Sequence, residues 1–316
     1  MKKIFLCFLL AMTFQISFAN AFSEKPIKVI VPLGPGGGVD IIARVLSKNL
    51  AEIWKVPVIV ENRPGAAGVI GGKFVAESEP DGNTLLFYVA GTYASLQTFD
   101  TKDFKFNWEK ELTSLSSIHG TPFVLVVPSK TGIKNLKELQ DSVKSSGLSF
   151  GSTSSGSPLH IYGELIAEKV GAKPIHVPYK AMGQAMVDVL NGNLDMLVAN
   201  STLLMPHIQS GALTPLVVFS NREYTELPGV PTIKALGNSD FNNLIVSYNF
   251  FVNSKTPDSI KEKLRNDITE ATKMSLEELR DKKLIDRNFV SRKDQHLEID
   301  SIVKSWKNAT SKLVKN

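Results

Sequence analysis

The chain has 316 residues, 43% hydrophobic and 21% charged, which is enough for one large or two medium domains, each with its own core. Its formal net charge of +5 is too small to point to nucleic acid or an anionic membrane surface, and no basic cluster is interleaved with aromatic residues.

In chain order, the first expected element is a cleavable signal peptide. Lys2 and Lys3 precede an apolar run from Ile4 to Phe18, and Ala19-Asn20-Ala21 supplies small residues for cleavage after Ala21. Thr13, Gln15 and Ser17 interrupt the run, which is shorter than the roughly 20 residues of a membrane span. Cys7 stands too early for a lipoprotein attachment site. Removing residues 1–21 takes two of the 36 basic residues and none of the 31 acidic ones, so the net charge falls to +3. It also takes the one cysteine, which excludes disulfides and thiol chemistry from the mature chain. The expected location is the bacterial periplasm.

Short apolar runs then alternate with amphipathic stretches. Strands are predicted at Ile27–Val31, Val56–Val60, Thr84–Ala90, Phe123–Val127, Leu148–Gly151, Ile175–Tyr179, Leu194–Ala199, Leu213–Phe219 and Tyr248–Val252. Helices are predicted at Asp40–Trp54, Val69–Ser78, Leu136–Lys144, Pro158–Val170, Gly183–Leu190 and Leu203–Gln209. In the first helix Ile41, Ile42, Val45, Leu46, Leu50, Ile53 and Trp54 recur near a period of about 3.6. Beyond Pro257 the pattern is helical and charged, with Asp258 suited to a helix start. Strand–helix alternation of this kind implies α/β architecture, with mostly parallel sheets flanked by helices. Trp108 and Tyr224 read as aromatics packed at a domain edge rather than as partner contacts.

Two stretches share one design. Strand Ile27–Val31 hands over at Pro32 to Leu33-Gly34-Pro35-Gly36-Gly37-Gly38, and Asp40 opens a helix. Strand Leu148–Gly151 hands over to Ser152-Thr153-Ser154-Ser155-Gly156-Ser157, and Pro158 occupies a first-turn position. Helix starts carry free N–H donors and about half an elementary charge, so they hold anions without Arg or Lys. Glycine lets backbone approach closely and serine adds hydroxyl donors. One such turn alone reads equally well as a tight connection; two together point to a site.

Other chemistries fail on spacing. A dinucleotide fingerprint needs glycine where Val39 stands, and a P-loop fails at Ala67 and Phe74. No G-x-S-x-G occurs, and the S-x-x-K at Ser301 and K-T-G at Lys130 come in the wrong order for a penicillin-binding pair. His119, His160, His176, His207 and His296 show no metal-ligand spacing. Neither a metal nor a cofactor is expected, and His160 alone lies in the first turn of a candidate site helix.

The segments "KPIKVIVPLGPGGGVDIIARVLSKNL", "VIVENRPGAAGVIGG", "PDGNTLLF" and "HVPYKAMGQAMVDVLNGNLDM" resemble the receptors of tripartite tricarboxylate transporters, the Bug-type periplasmic solute-binding proteins. The resemblance runs from about Lys25 to the C-terminal helices. It implies a two-lobed periplasmic binding fold with a ligand cleft between lobes, and a non-enzymatic, monomeric receptor. Such a receptor captures a small organic carboxylate and delivers it to membrane permease subunits. It also implies that Leu33, Gly34, Pro35, Gly36, Gly37 and Gly38 form the first-lobe grip. Ser152, Thr153, Ser154, Ser155, Gly156 and Ser157, with His160, would form the second. Ala90, Thr92, Tyr179 and Asn200 fall at strand ends facing the cleft in the family. Asp40 is expected to stabilise its own helix start. Lobe one is expected to hold about Phe22–Thr121 plus Asn221–Asn316, and lobe two Pro122–Ser220.

Four departures stand out against that family. Leu33 replaces a common aromatic, Val89-Ala90 replaces hydroxyl residues, Ala199 a common aspartate and Ser154 a common glycine. They imply a less polar cleft on the first-lobe side, fit for a ligand with an apolar body. Two readings stay beside the transport receptor: a sensor feeding a signalling kinase, and a hydrolase using a serine of 152–157.

Overall fold

The computed structural model describes residues 25–99, 106–143, 147–153, 155–179, 182–220, 223–235 and 244–314. Residues 1–21, Ser154 and Asn221 lie outside the described residues.

The strand β1 (Ile27–Val31) is buried at every position except Lys28, as a central strand covered on both faces must be. Parallel neighbours flank it: β2 (Val58–Asn62) and β3 (Thr84–Val89). Antiparallel to β3 runs β11 (Ser247–Asn253), and β4 (Leu112–Ser114) and β5 (Ile118–His119) both pair antiparallel with β11. The second sheet repeats the plan. Here β7 (Leu148–Ser152) lies between the parallel β8 (Pro174–Pro178) and β9 (Met196–Asn200). Antiparallel to β9 runs β6 (Phe123–Pro128), and β10 (Leu213–Phe219) closes the edge against it.

Each sheet therefore has a parallel three-stranded nucleus extended by antiparallel strands, which refines the expectation of mostly parallel sheets. The antiparallel strand beside each nucleus, β6 or β11, is the one that arrives from the other sheet. A chain that enters from outside comes in against the direction of the strand–helix–strand repeat.

Among the described residues ten α-helices cover the sheets. The first three are α1 (Gly38–Trp54), α2 (Val69–Ala76) and α3 (Ala90–Phe99). Short α4 (Trp108–Glu111) and α5 (Leu136–Ser142) precede α6 (Pro158–Lys169), α7 (Met182–Asn191) and α8 (Ser201–Gln209). The chain ends in α9 (Asp258–Asp281) and α10 (Ile299–Val314). Helix α9 starts at Asp258, as its sequence implies, but the helical reading overran at the other end. Lys283 takes a left-handed φ of 54° and turns the chain towards Leu284.

Three cores result. Ile42, Leu46 and Leu50 of α1 and Leu264 and Ile268 of α9 cover one face of the first sheet. Val189 of α7 and Leu204 of α8 pack under one face of the second. The remaining faces share one continuous core, in which Trp306 of α10 meets Tyr162 of α6 edge-on at 5.3 Å. Tyr162 in turn sits 4.1 Å from Phe219. Trp108 is buried against Tyr93 and Phe106, and Tyr224 is buried with its hydroxyl on Ser201, so both are packing residues.

Trp306 is 1% exposed and binds the two halves of this shared core together. Replacing it with alanine is expected to lower stability by about 3–5 kcal/mol, measured by chemical denaturation.

Candidate functional site

A cleft of about 820 Å³ opens between the two sheets, and both candidate loops face it. Leu33 and Gly38 line it from the first loop, Thr153 and Ser157 from the second.

The loop Leu33–Gly38 is exposed throughout, and a side chain added at Gly34, Gly36 or Gly37 would meet nothing within 4 Å. Gly36 takes a φ of +83°, which glycine adopts without strain. Its N–H donates to the Asp40 carboxylate at 3.0 Å. Arg44 donates to both Asp40 oxygens, at 2.9 and 3.0 Å, and Asn62 donates at 2.9 Å to Asp40 and 3.0 Å to the Leu33 carbonyl. Asn62, the asparagine of the E-N-R-P-G stretch, is thus the strap that holds the loop to the end of β2. Burial would raise the Asp40 pKa, but the hydrogen bonds from Arg44, Gly36 and Asn62 outweigh it and hold it at about 2. Gly37, the residue before α1, offers no capping side chain, so the first-turn amides of α1 keep free donors beside the cleft.

The second loop is built alike. Gly156 takes a φ of +77° and its N–H donates to His160 Nδ1 at 3.1 Å. In both loops a left-handed glycine binds the third residue of the following helix, Asp40 in one and His160 in the other. The helix start differs, because Ser157 Oγ accepts from the His160 N–H at 3.3 Å and caps α6. Two further helices begin at the cleft. Asn200 caps α8 by accepting from the Thr202 N–H at 2.9 Å, and α3 begins between the cleft residues Val89 and Thr92.

Residues 42–312 match the model of the family described as "Tripartite tricarboxylate transporter family receptor". The chain belongs to this receptor family. BugT of Bordetella pertussis is 34% identical over 225 residues, covering 71% of this chain and 69% of that protein. A UPF0065 protein of Cupriavidus necator is 35% identical over 223 residues, 69% of this chain and 66% of its own. Among solved structures, one described as a periplasmic transporter is 29% identical with a TM-score of 0.77, covering 94% of this chain and 98% of the other. MatC from Rhodopseudomonas palustris with bound malate is 22% identical at a TM-score of 0.75, covering 91% and 99%. A second R. palustris protein with adipate is 21% identical, also at 0.75, covering 92% and 98%. The two-lobed periplasmic binding fold is common to these structures and this receptor.

Not every residue expected at the receptor's site reaches the cleft. Leu33, Gly38, Thr92, Thr153, Ser157 and Asn200 line it, and Gly34, Pro35, Gly36 and Gly37 form the exposed loop beside it. Within the second loop Ser155 is exposed and Gly156 is buried. Ala90 is fully buried in the first turn of α3, which corrects its assignment to the cleft. Tyr179 is half-buried, with its hydroxyl donating to Asp188 at 2.6 Å on the outer helix α7. His160 is nine-tenths buried, with Nε2 3.3 Å from Glu164, so it positions the loop rather than touching the cleft. Ser152 turns inward as well. Its Oγ lies 2.7 Å from His176 Nε2, a nucleophile-like pairing, but Ser152 is 0% exposed and leaves no space for a substrate carbonyl. Burial and the neighbouring His160 lower the His176 pKa to about 4. Among the described residues no group of three or more His, Cys, Asp or Glu could hold a metal ion.

Beyond Leu33 and Val89, sequence reasoning named none of the apolar walls: Ile41 on α1, Leu203 on α8, Leu284 after α9, and Phe123, Val246 and Tyr248. The helical spacing puts Ile41 in the buried stripe of α1, but it is 36% exposed and points away from Ile42 and Leu46.

Because the Asp40 pKa lies below the ordinary 3.8, its contribution to stability is present above about pH 4 and is lost as pH falls towards 2. Asp40→Asn is expected to lower stability by about 1–3 kcal/mol at pH 7. The gap between variant and wild type should narrow as denaturation is measured from pH 4 down to 2.

Proposed function

We propose that this receptor captures a small organic carboxylate in the cleft, closes over it and presents it to the permease subunits of a tripartite tricarboxylate-type transporter. Two parallel helix starts facing one cavity carry the reading. The amides before and within the first turn of α1 donate to one side of the carboxylate. The hydroxyls of Thr153 and Ser157, with the start of α6, receive it from the other. Charge-assisted N–H···O bonds in a cleft that excludes water supply the affinity. The chain is delivered to the periplasm by the cleaved segment 1–21. Lobe one comprises Phe22–Thr121 and Asn221–Asn316, and lobe two Pro122–Ser220; ligand shifts the open–closed equilibrium by its preference for the closed form. The malate and adipate held by the two R. palustris proteins of this fold support carboxylate as the ligand class.

Gly37→Asp gives a direct test. The backbone at Gly37 (φ −78°, ψ 166°) already has helix-capping geometry, and nothing lies within 4 Å of an added Cβ. The new carboxylate would therefore cap α1 from within and occupy the anion position. Stability is expected to be unchanged or a few tenths of a kcal/mol higher. Carboxylate affinity by calorimetry should fall at least about tenfold, or 1.4 kcal/mol; an unchanged affinity would remove the α1 amides from the site. Intact-mass measurement of the exported protein should give a chain starting at Phe22, and a start at Met1 would refute cleavage.

A further inference from the structure

We infer that the ligand is a monocarboxylate with an extended apolar body, its hydrocarbon part lying on a ledge formed by Leu33, Ile41, Leu203 and Leu284. The inference rests on the carboxylate-receptor reading and goes further by naming the class of acid.

Charge comes first. None of the described residues lining the cleft has a charged side chain. Asp40 lies beneath the first loop, already matched by Arg44. Among the described residues the anion-holding groups are thus neutral donors: backbone amides, hydroxyls and the Asn200 amide. Each helix start supplies at most about half an elementary charge, and two of the four at the cleft, α6 and α8, already donate an amide to Ser157 and Asn200. A second or third carboxylate would leave water with no fixed cation among the described lining residues to meet it, and desolvating it is unfavourable.

The walls supply the other half of the argument. Leu33, Ile41 and Leu203 are 36%, 36% and 37% exposed, and all three line this one cleft. Leu284 joins them beside Gly38, where its Cδ2 would lie 3.9 Å from an added Cβ. The ledge spans both sheets. Thr202, next to Leu203, donates its hydroxyl to the carbonyl of Lys283, next to Leu284, so the segments that carry the two leucines are tied together at the cleft. Large aliphatic side chains left in water on both sides of a ligand cavity are covered by an apolar ligand when the lobes close.

The test is a calorimetric series at fixed ionic strength: butyrate, hexanoate, octanoate and 3-phenylpropionate against succinate, adipate and citrate. Affinity is expected to rise about fourfold per added methylene among the monocarboxylates. Octanoate should bind at least tenfold tighter than citrate. In Ile41→Ser/Leu203→Ser, with circular dichroism confirming the fold, the gain per methylene should drop below about twofold. Dicarboxylates or citrate binding tighter than monocarboxylates of equal length would overturn this inference while leaving the receptor reading intact. An unchanged slope in the double variant would overturn the ledge. Failure of every acid to bind would overturn the receptor reading, and this inference with it.

Discussion

The site depends on one hydrogen bond, made twice: a left-handed glycine donates its N–H to the third residue of the helix it precedes. Gly36 binds Asp40 and Gly156 binds His160, both four residues on. An L side chain at either glycine would strain a backbone that only this φ allows. The bond folds each loop back over its own helix start and fixes where the free amides point. The partners differ in charge. Asp40 is ionised, buried and matched by Arg44, whereas His160 lies between Phe150, His176 and Glu164. The first loop is therefore held by charge-assisted bonds and the second by a packed ring, although the geometry delivered is the same.

The sheets extend that equivalence. In each, the loop and helix follow the central strand of the parallel nucleus, β1 or β7, so both sites form at the carboxyl end of a middle strand, where open α/β sheets bind ligands. The strand added beside each nucleus comes from the other sheet, and the connections pass close to the floor of the cleft at Phe123 and Val246. α10 completes the frame. Through Trp306 and Tyr162 it packs on both sheets, so relative motion of the two halves must slide along this shared core rather than open it.

Much of this was legible in the sequence because glycine and proline announce backbone requirements. The runs at 34–38 and 156–158 mark strand-to-helix turns whatever surrounds them, and the nine predicted strands appear within about two residues of their expected ends. α3 was illegible for a physical reason: β3 and α3 form one unbroken run, LLFYVAGTYASLQTF, with no glycine cap or proline and with apolar residues on both sides of the helix. Ala90 was accordingly read as a strand end. Tyr179 and Ser152 failed differently. A hydroxyl near a site motif looks like a ligand donor, yet Asp188 and His176, which engage them, come close only in the fold. Ile41 and Leu203 were hidden because aliphatic residues facing a ligand and those facing a core follow the same helical period.

In the proposed receptor, a grip made of amides rather than of Arg or Lys suits a protein that must release what it binds. Backbone donors held by the fold lose little conformational freedom on binding, whereas a long cationic side chain would be ordered at a cost of up to about 2 kcal/mol. Each helix start offsets only part of the ligand's charge, so the carboxylate is matched when both are present and undermatched when one withdraws. In that proposal, opening the cleft weakens the electrostatic hold without breaking an ion pair, and it exposes the aliphatic ledge and the ligand to water in the same movement. Affinity for the closed form and loss of affinity on opening then arise from one arrangement: two partial charges on opposite halves of the molecule, each too weak to hold the anion alone.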